Sequence, residues 1–244
     1  MTYNLFGIIF EDGNNYKQIY KRLINKEFMV VPSGPGLSTI DYDKKYYEAL
    51  KSADFAIPDS SAMVILALIF YNYKINKLSG PRFLRKFIKE DILRQEGNIF
   101  SIDPSIEESK ANREYLNSIN IPITPNYQYV APCYIKEDIK DSKLLNNLEI
   151  LHKKPKFILL NIAGGKQERL GYYLKKNLSY KVAIICTGAA IAFQTGKQVK
   201  LPNWIDKYYL GWLVRSLQNP RKYGMRFVKA VRIIYVFYLW RKRR

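Results

Sequence analysis

Short apolar runs alternate with polar, helix-forming stretches along most of this chain, and that alternation narrows the fold more than any other feature. LFGIIF reads as a strand, YKQIYKRLINK as a helix and EFMVVPS as the next strand. YDKKYYEALKSAD then reads as a helix that its opening aspartates cap. FAIPD follows as a short strand ending in a turn, and SAMVILALIFYNY as a helix apolar enough to be buried. NIFSIDPS and IEESKANREYLNSIN repeat strand and exposed helix; FILLNIAGG, KQERLGYYLKKNL and YKVAIICTGAA repeat strand, helix, strand. Strands interleaved with helices predict an α/β fold with a mainly parallel sheet. In such sheets ligands sit at the carboxyl ends of the strands.

The chain has 244 residues, which suits one domain with an appendage, and 48% of them are hydrophobic, enough for a real core. The change of texture falls at Pro202. We read 1–201 as the α/β core and 202–244 as a basic, aromatic, helical appendage. The formal charge is +19, and eleven Lys and Arg against Asp206 alone put roughly half of it in the last 43 residues. On a helix, Lys222, Arg226 and Lys229 share a face, with Arg221 and Arg232 at its edge. Ile233 to Trp240 is apolar all round and ends in Arg241-Lys242-Arg243-Arg244. Aromatic rings beside a cationic cluster suit the interface of an anionic membrane. A docked structural helix with a solvated basic end is the plainer reading.

No run of about 18 apolar residues predicts a membrane-spanning helix. The start, MTYNLFGIIFEDG, lacks the features of a signal peptide, so we expect a cytoplasmic protein. Cys133 and Cys186 are the only cysteines, and they suggest no disulfide framework. His152 is the only histidine and lies in a polar stretch, which argues against a histidine triad or a zinc site.

Three segments could carry chemistry. In ADFAIPDSS, Asp59 follows a strand and precedes an apolar helix, where a carboxylate serves either as an N-cap or as a general base. In Asn161-Ile162-Ala163-Gly164-Gly165-Lys166-Gln167-Glu168, small residues join a strand to a helix. Such a turn can offer backbone N–H groups to a phosphate, or simply be tight. Thr187 to Gly196 is a third strand-to-loop passage lined with small residues, which permits close approach of a ligand or close packing.

Taken in order, these segments resemble the WecG/TagA/CpsF family of glycosyltransferases (glycosyltransferase family 26). ADFAIPDS is similar to the family's A-D-x-x-x-x-D-G, KLSGPRFL to R-x-x-G-x-D-L, and AGGKQE to G-x-P-K-Q-E. TGAAIAFQTG is similar to G-A-A-F-D-F-x-A-G. LPNW with GWLVRSLQNPRKYGMRF is similar to A-P-x-W with E-W-L-Y-R-L-x-x-E-P-x-R. The resemblance implies a Rossmann-like core and a peripheral enzyme on the inner face of the plasma membrane. It implies inverting transfer of a sugar, typically of N-acetylmannosamine type, from UDP to an undecaprenyl-diphosphate-linked sugar, without metal or other cofactor. It makes Asp59 the catalytic base. It places Lys166, Gln167 and Glu168, with Gly164 and Gly165, by the nucleotide-sugar pocket. Ser33 and Lys77 belong to the substrate site, and Arg215, Arg221 and Arg226 grip a diphosphate. A homo-oligomer formed through the core is a further implication.

The chain departs from the family pattern at several of these positions. D-G is Asp59-Ser60, and the T-x-N strand end falls at Val31-Pro32-Ser33. Lys77 stands for an arginine, Gly165 for a proline, Ala192 for an aspartate and Gly211 for a glutamate. These changes point to a different UDP-sugar, as in a capsular or exopolysaccharide enzyme; the family's own products feed wall teichoic acid, enterobacterial common antigen or capsule. Two rivals remain: a scaffold of a polysaccharide-assembly complex that has lost activity, and a basic nucleic-acid-binding protein. The second lacks any visible recognition module.

Overall fold

The computed structural model describes residues 1–135, 138–196 and 231–242. The chain opens with a hairpin of β1 (Thr2–Leu5) and β2 (Ile8–Glu11), followed by α1 (Tyr16–Ile24) and β3 (Phe28–Val30). Next come α2 (Gly34–Leu37), α3 (Lys44–Ser52), β4 (Phe55–Ala56), α4 (Ser61–Tyr71) and α5 (Gly80–Phe87). β5 (Ile99–Asp103), α6 (Ile106–Ser118), β6 (Gln128–Val130), α7 (Ser142–Ile150), β7 (Phe157–Leu160), α8 (Lys166–Asn177) and β8 (Ala183–Cys186) continue the alternation. A 3-10 turn over Gly188–Phe193 and a helix, α9 (Ile233–Lys242), complete the described part.

The strands form one sheet in the order β1-β2-β4-β3-β8-β7-β5-β6, with only β1–β2 antiparallel. The protein is therefore α/β with a mostly parallel sheet. The two-residue period of a strand sends alternate side chains to opposite faces, and both faces are covered. Phe28, Val30, Ile158, Leu160, Ile184 and Cys186 meet the buried sides of α3, α4, α7, α8 and α9. Met29, Phe157, Leu159, Ala183 and Ile185 meet α1, α5 and α6 on the other face. Covering both faces explains why these strands read as continuous apolar runs rather than alternating ones.

Two local readings of the sequence are corrected. LFGIIF is not one strand but the turn of the hairpin, because Phe6 and Gly7 both take positive φ, 60° and 72°. That geometry fits a two-residue hairpin loop. It is unusual for phenylalanine, and the Phe6 ring is held by Phe237 at 4.8 Å and Trp240 at 5.5 Å between centroids. SAMVILALIFYNY does form a helix, but α4 is buried on one side only. Met63, Val64, Leu66 and Ala67 face the core, whereas Ile65, Leu68 and Ile69 are exposed.

α9 packs against α4 and α2. Ile233, Val236 and Phe237 are buried, and Arg232 pairs with both oxygens of Asp41 at 2.8 and 2.6 Å. The basic stretch from 197 to 230 lies outside the described residues, so the expected appendage is seen only in this last helix.

Candidate active site at the carboxyl edge of the sheet

The strand ends lie in one row. Ala56 of β4 pairs with Val30 of β3, Val30 with Cys186 of β8, Cys186 with Leu160 of β7, and Leu160 with Ile102 of β5. Each chain then leaves the sheet at the same level, so the segments singled out above start side by side. Ala56 and Leu160 are three strand spacings apart, about 14 Å.

Asp59 follows Ala56 by three residues. Its N–H donates to Ile57 O at 3.1 Å across Pro58, a tight bend that turns the chain out of the sheet. Asp59 does not cap α4. Ser60 does, its Oγ accepting from Met63 N at 3.2 Å. Asp59 Oδ1 instead accepts from Gly80 N, the first residue of α5, at 3.0 Å. This bond ties the half-buried carboxylate to the positive end of a second helix and fixes its orientation.

The neighbouring loops close around this point. A Cβ on Gly34 would stand 2.9 Å from Ser60 Oγ, so the β3 loop carrying Ser33 runs against the β4 loop. Ser33 is exposed and caps α2, its Oγ accepting from Gly36 N. Lys77 is half-buried, and the next residue, Leu78, donates to Pro58 O at 3.0 Å. A Cβ on Gly80 would meet Thr187 O of the β8 loop at 3.4 Å. Asp59, Ser33 and Lys77 are thus gathered at the ends of β4 and β3.

The second group lies on the β7–α8 turn. Gly165 takes φ +85°. Its N–H donates to Glu168 Oε2 at 2.6 Å, and the N–H groups of Lys166 and Gln167 donate to Ala163 O. The turn therefore satisfies three of its own amides. What it offers an anion is the exposed Gly164 peptide, the positive end of α8 and the Lys166 ammonium. Gln167 and Glu168 are buried. Gln167 Oε1 accepts from Gly188 N at 2.7 Å, and its Nε2 donates to Glu168 Oε1 at 3.0 Å. These two side chains fasten the β7 and β8 loops together. Burial raises the Glu168 carboxyl from 4.5 to about 7, against the opposing pull of its hydrogen bonds. Arg169 holds the turn from outside, through Gly165 O and both oxygens of Asp43. Asp43 also caps α3, as its sequence position predicts.

A chain of contacts thus joins the two groups, from Asp59 through Gly80, Thr187 and Gly188 to Gln167 and Gly165. Arg215, Arg221 and Arg226 lie outside the described residues.

The sequence reading passed over Asp103. It ends β5 in the same row, fully buried, and its Oδ1 accepts from Ser101 Oγ, Asn112 Nδ2 and Asn161 Nδ2 at 2.7–2.8 Å. The available signal was an acid closing an apolar strand in FSID. Asn161 Oδ1 and Thr187 Oγ1, each just past the end of its strand, β7 and β8, are buried without a hydrogen-bond partner among the described residues. Buried polar atoms are rarely left so, and a polar ligand group there would complete them. Among the described residues, no group of three or more His, Cys, Asp or Glu is placed to hold a metal ion.

An open α/β sheet with its loops converging at the carboxyl edge defines a protein that binds its ligand there. The profile of the "Glycosyl transferase WecG/TagA/CpsF family" matches residues 4–244, and the chain belongs to that glycosyltransferase family. The chain is also similar to the N-acetylglucosaminyldiphosphoundecaprenol N-acetyl-beta-D-mannosaminyltransferase of Bacillus subtilis (strain 168). The two are 18% identical over 178 residues, which span 73% of this chain and 66% of that enzyme.

Proposed function

We propose that this protein is an inverting, metal-independent hexosyltransferase. It moves a sugar from a UDP-sugar to an undecaprenyl-diphosphate-linked sugar in the synthesis of a cell-surface polysaccharide such as capsule, exopolysaccharide or teichoic acid. It works peripherally on the inner, anionic face of the plasma membrane. The observation that carries the chemistry is the placement of Asp59. Ser60 takes the capping role, and the Gly80 N–H holds the Asp59 carboxylate at the edge where substrate binds.

Asp59 takes the proton from the acceptor hydroxyl. That oxygen attacks the anomeric carbon from the face opposite UDP, the bond from that carbon to the β-phosphate oxygen breaks, and the configuration inverts. Charge growing on the departing diphosphate is met by Lys77, the Gly164–Gly165 turn with Lys166, and Arg215, Arg221 and Arg226. Removing one such group raises the barrier by about 3 kcal/mol. The relative's printed name supports a lipid-linked acceptor. The replacements at Ser33, Gly165, Ala192 and Gly211 favour a donor other than UDP-N-acetylmannosamine.

The test is sugar transfer in detergent, with a GlcNAc-diphosphate-lipid acceptor, a panel of UDP-sugars, and EDTA in half of the reactions. UDP release that needs both substrates and survives EDTA is expected, with inverted configuration in the product. Asp59→Asn should lower turnover by about a hundredfold or more while UDP binds as before. Near-normal turnover in that variant removes Asp59 from the role, and silence across the panel favours the scaffold reading.

A further inference from the structure

Asn161 and Thr187 are only 3% and 8% exposed, so bulk water does not relieve the cost of their unpaired oxygens. The Asn161 amide cannot turn to hide its own. Its Nδ2 donates to Asp103 Oδ1 at 2.8 Å and to Ser101 Oγ at 3.0 Å, and a carboxylate only accepts, so Oδ1 is fixed on the side away from Asp103. Leu160 and Cys186 are paired in register. Asn161 and Thr187, next along, are therefore neighbours on adjacent chains, about 5 Å apart. By the two-residue period both continue the face of Leu159 and Ile185.

The connections part at this point. The chain leaves β7 for α8, which packs on the face of Leu160 through Leu170 and Leu174. From the two strands beside β7 it leaves to the opposite face, β5 for α6 with Leu116 and β8 for the turn with Ala190 and Ile191. Where connections part to opposite faces, an open α/β sheet has its binding crevice. Three residues beyond Asn161, Gly164 faces open space, where a Cβ would meet nothing within 4 Å.

We propose that Asn161 Oδ1 and Thr187 Oγ1 together bind the ribose diol of the donor nucleotide. The assignment rests on the reading of a UDP-sugar donor given above. Asn161 Oδ1 only accepts, and the Thr187 hydroxyl both accepts and donates, so the pair suits two adjacent hydroxyls. The row of strand ends selects the ribose. Asp59, where the anomeric carbon lies in the proposed reaction, follows β4, three strands from β7. The Gly164 turn that meets the diphosphate directly follows Asn161. The ring beyond the diphosphate from Asp59 is the ribose. A structural water bridging the two oxygens is the alternative, and it predicts a loss of stability rather than of binding when either oxygen is removed.

Binding of UDP, 2′-deoxy-UDP and 3′-deoxy-UDP to the full chain is measured by calorimetry. The wild type should bind each deoxy analogue about tenfold more weakly than UDP. Thr187→Val keeps the shape and removes only the unpaired oxygen. It should melt no lower than the wild type and bind UDP about tenfold more weakly. It should bind one of the two analogues as the wild type does, because that analogue already lacks the partner. Asn161→Leu should behave likewise towards the other analogue, and Thr187→Val alone decides if Asn161→Leu does not fold. Equal binding of UDP and both analogues by the wild type overturns the proposal. So does Thr187→Val that binds UDP as before, including one whose sole change is a lower melting temperature, the mark of a structural water. If no uridine nucleotide binds, the proposal and the UDP-sugar reading fall together. If the discrimination follows Thr187 but no sugar is transferred, the diol site stands and the enzymatic reading fails.

Discussion

Burial keeps the Glu168 carboxyl protonated up to about pH 7, and this makes the turn before α8 sensitive to pH. In the unfolded chain the group titrates near 4.5, so between these values the folded state holds more protons than the unfolded one. Its contribution is present in full below pH 4.5 and is lost as pH rises through 7, a fall of roughly 3 kcal/mol from this residue. Urea unfolding at pH 5 and pH 8 should show the wild type losing stability with pH, and Glu168→Gln losing less by about that amount. Ser60→Ala should cost about 1 kcal/mol through the lost cap, read as a shifted urea midpoint. That Asp59 stands between a strand and a helix was legible in the sequence. Its choice between cap and base was not, because Ser60 and Ser61 offer hydroxyls at the same helix start. What the fold adds is that Ser60 takes the cap of α4 and that the Asp59 carboxylate accepts from the N–H of Gly80.

Most helices and strands were legible because their periods differ and their ends carry familiar signals, such as Asp43 before α3. The reading left out α5, β6 and α7, and two further features escaped because neighbours far along the chain decide them. The Phe6–Gly7 turn depends on rings from α9, which supply packing for a phenylalanine in a left-handed conformation. The one-sided burial of α4 depends on which of its sides meets the core, and a helix apolar all round gives no clue to that. The opposite case is Gly171 in α8, where a single residue sets how closely two elements approach. A Cβ there would stand 2.7 Å from the Phe28 ring of β3. Gly171→Ala should therefore destabilise the protein by about 1–3 kcal/mol, visible as a lower melting temperature, even though alanine favours helix.

The whole molecule is tied together by contacts between its first and last described elements. Phe237 is fully buried against Phe6, Phe70 and Tyr71. Phe237→Ala should cost about 3–5 kcal/mol in urea unfolding. Combined with Phe6→Ala it should be less than additive, by about 1 kcal/mol. The sequence marked this helix as apolar with a basic end but could not show that Arg232 clamps it to Asp41, since that pairing spans 191 residues. The position of α9 also bears on the order of events during synthesis. A ribosome that has released residues 1–196 has produced every described strand of the sheet, yet the two rings that pack on Phe6, those of Phe237 and Trp240, are still to come. Until they emerge, the hairpin turn lacks both of those ring contacts. Docking of α9 on that turn can only follow synthesis of the strands described above.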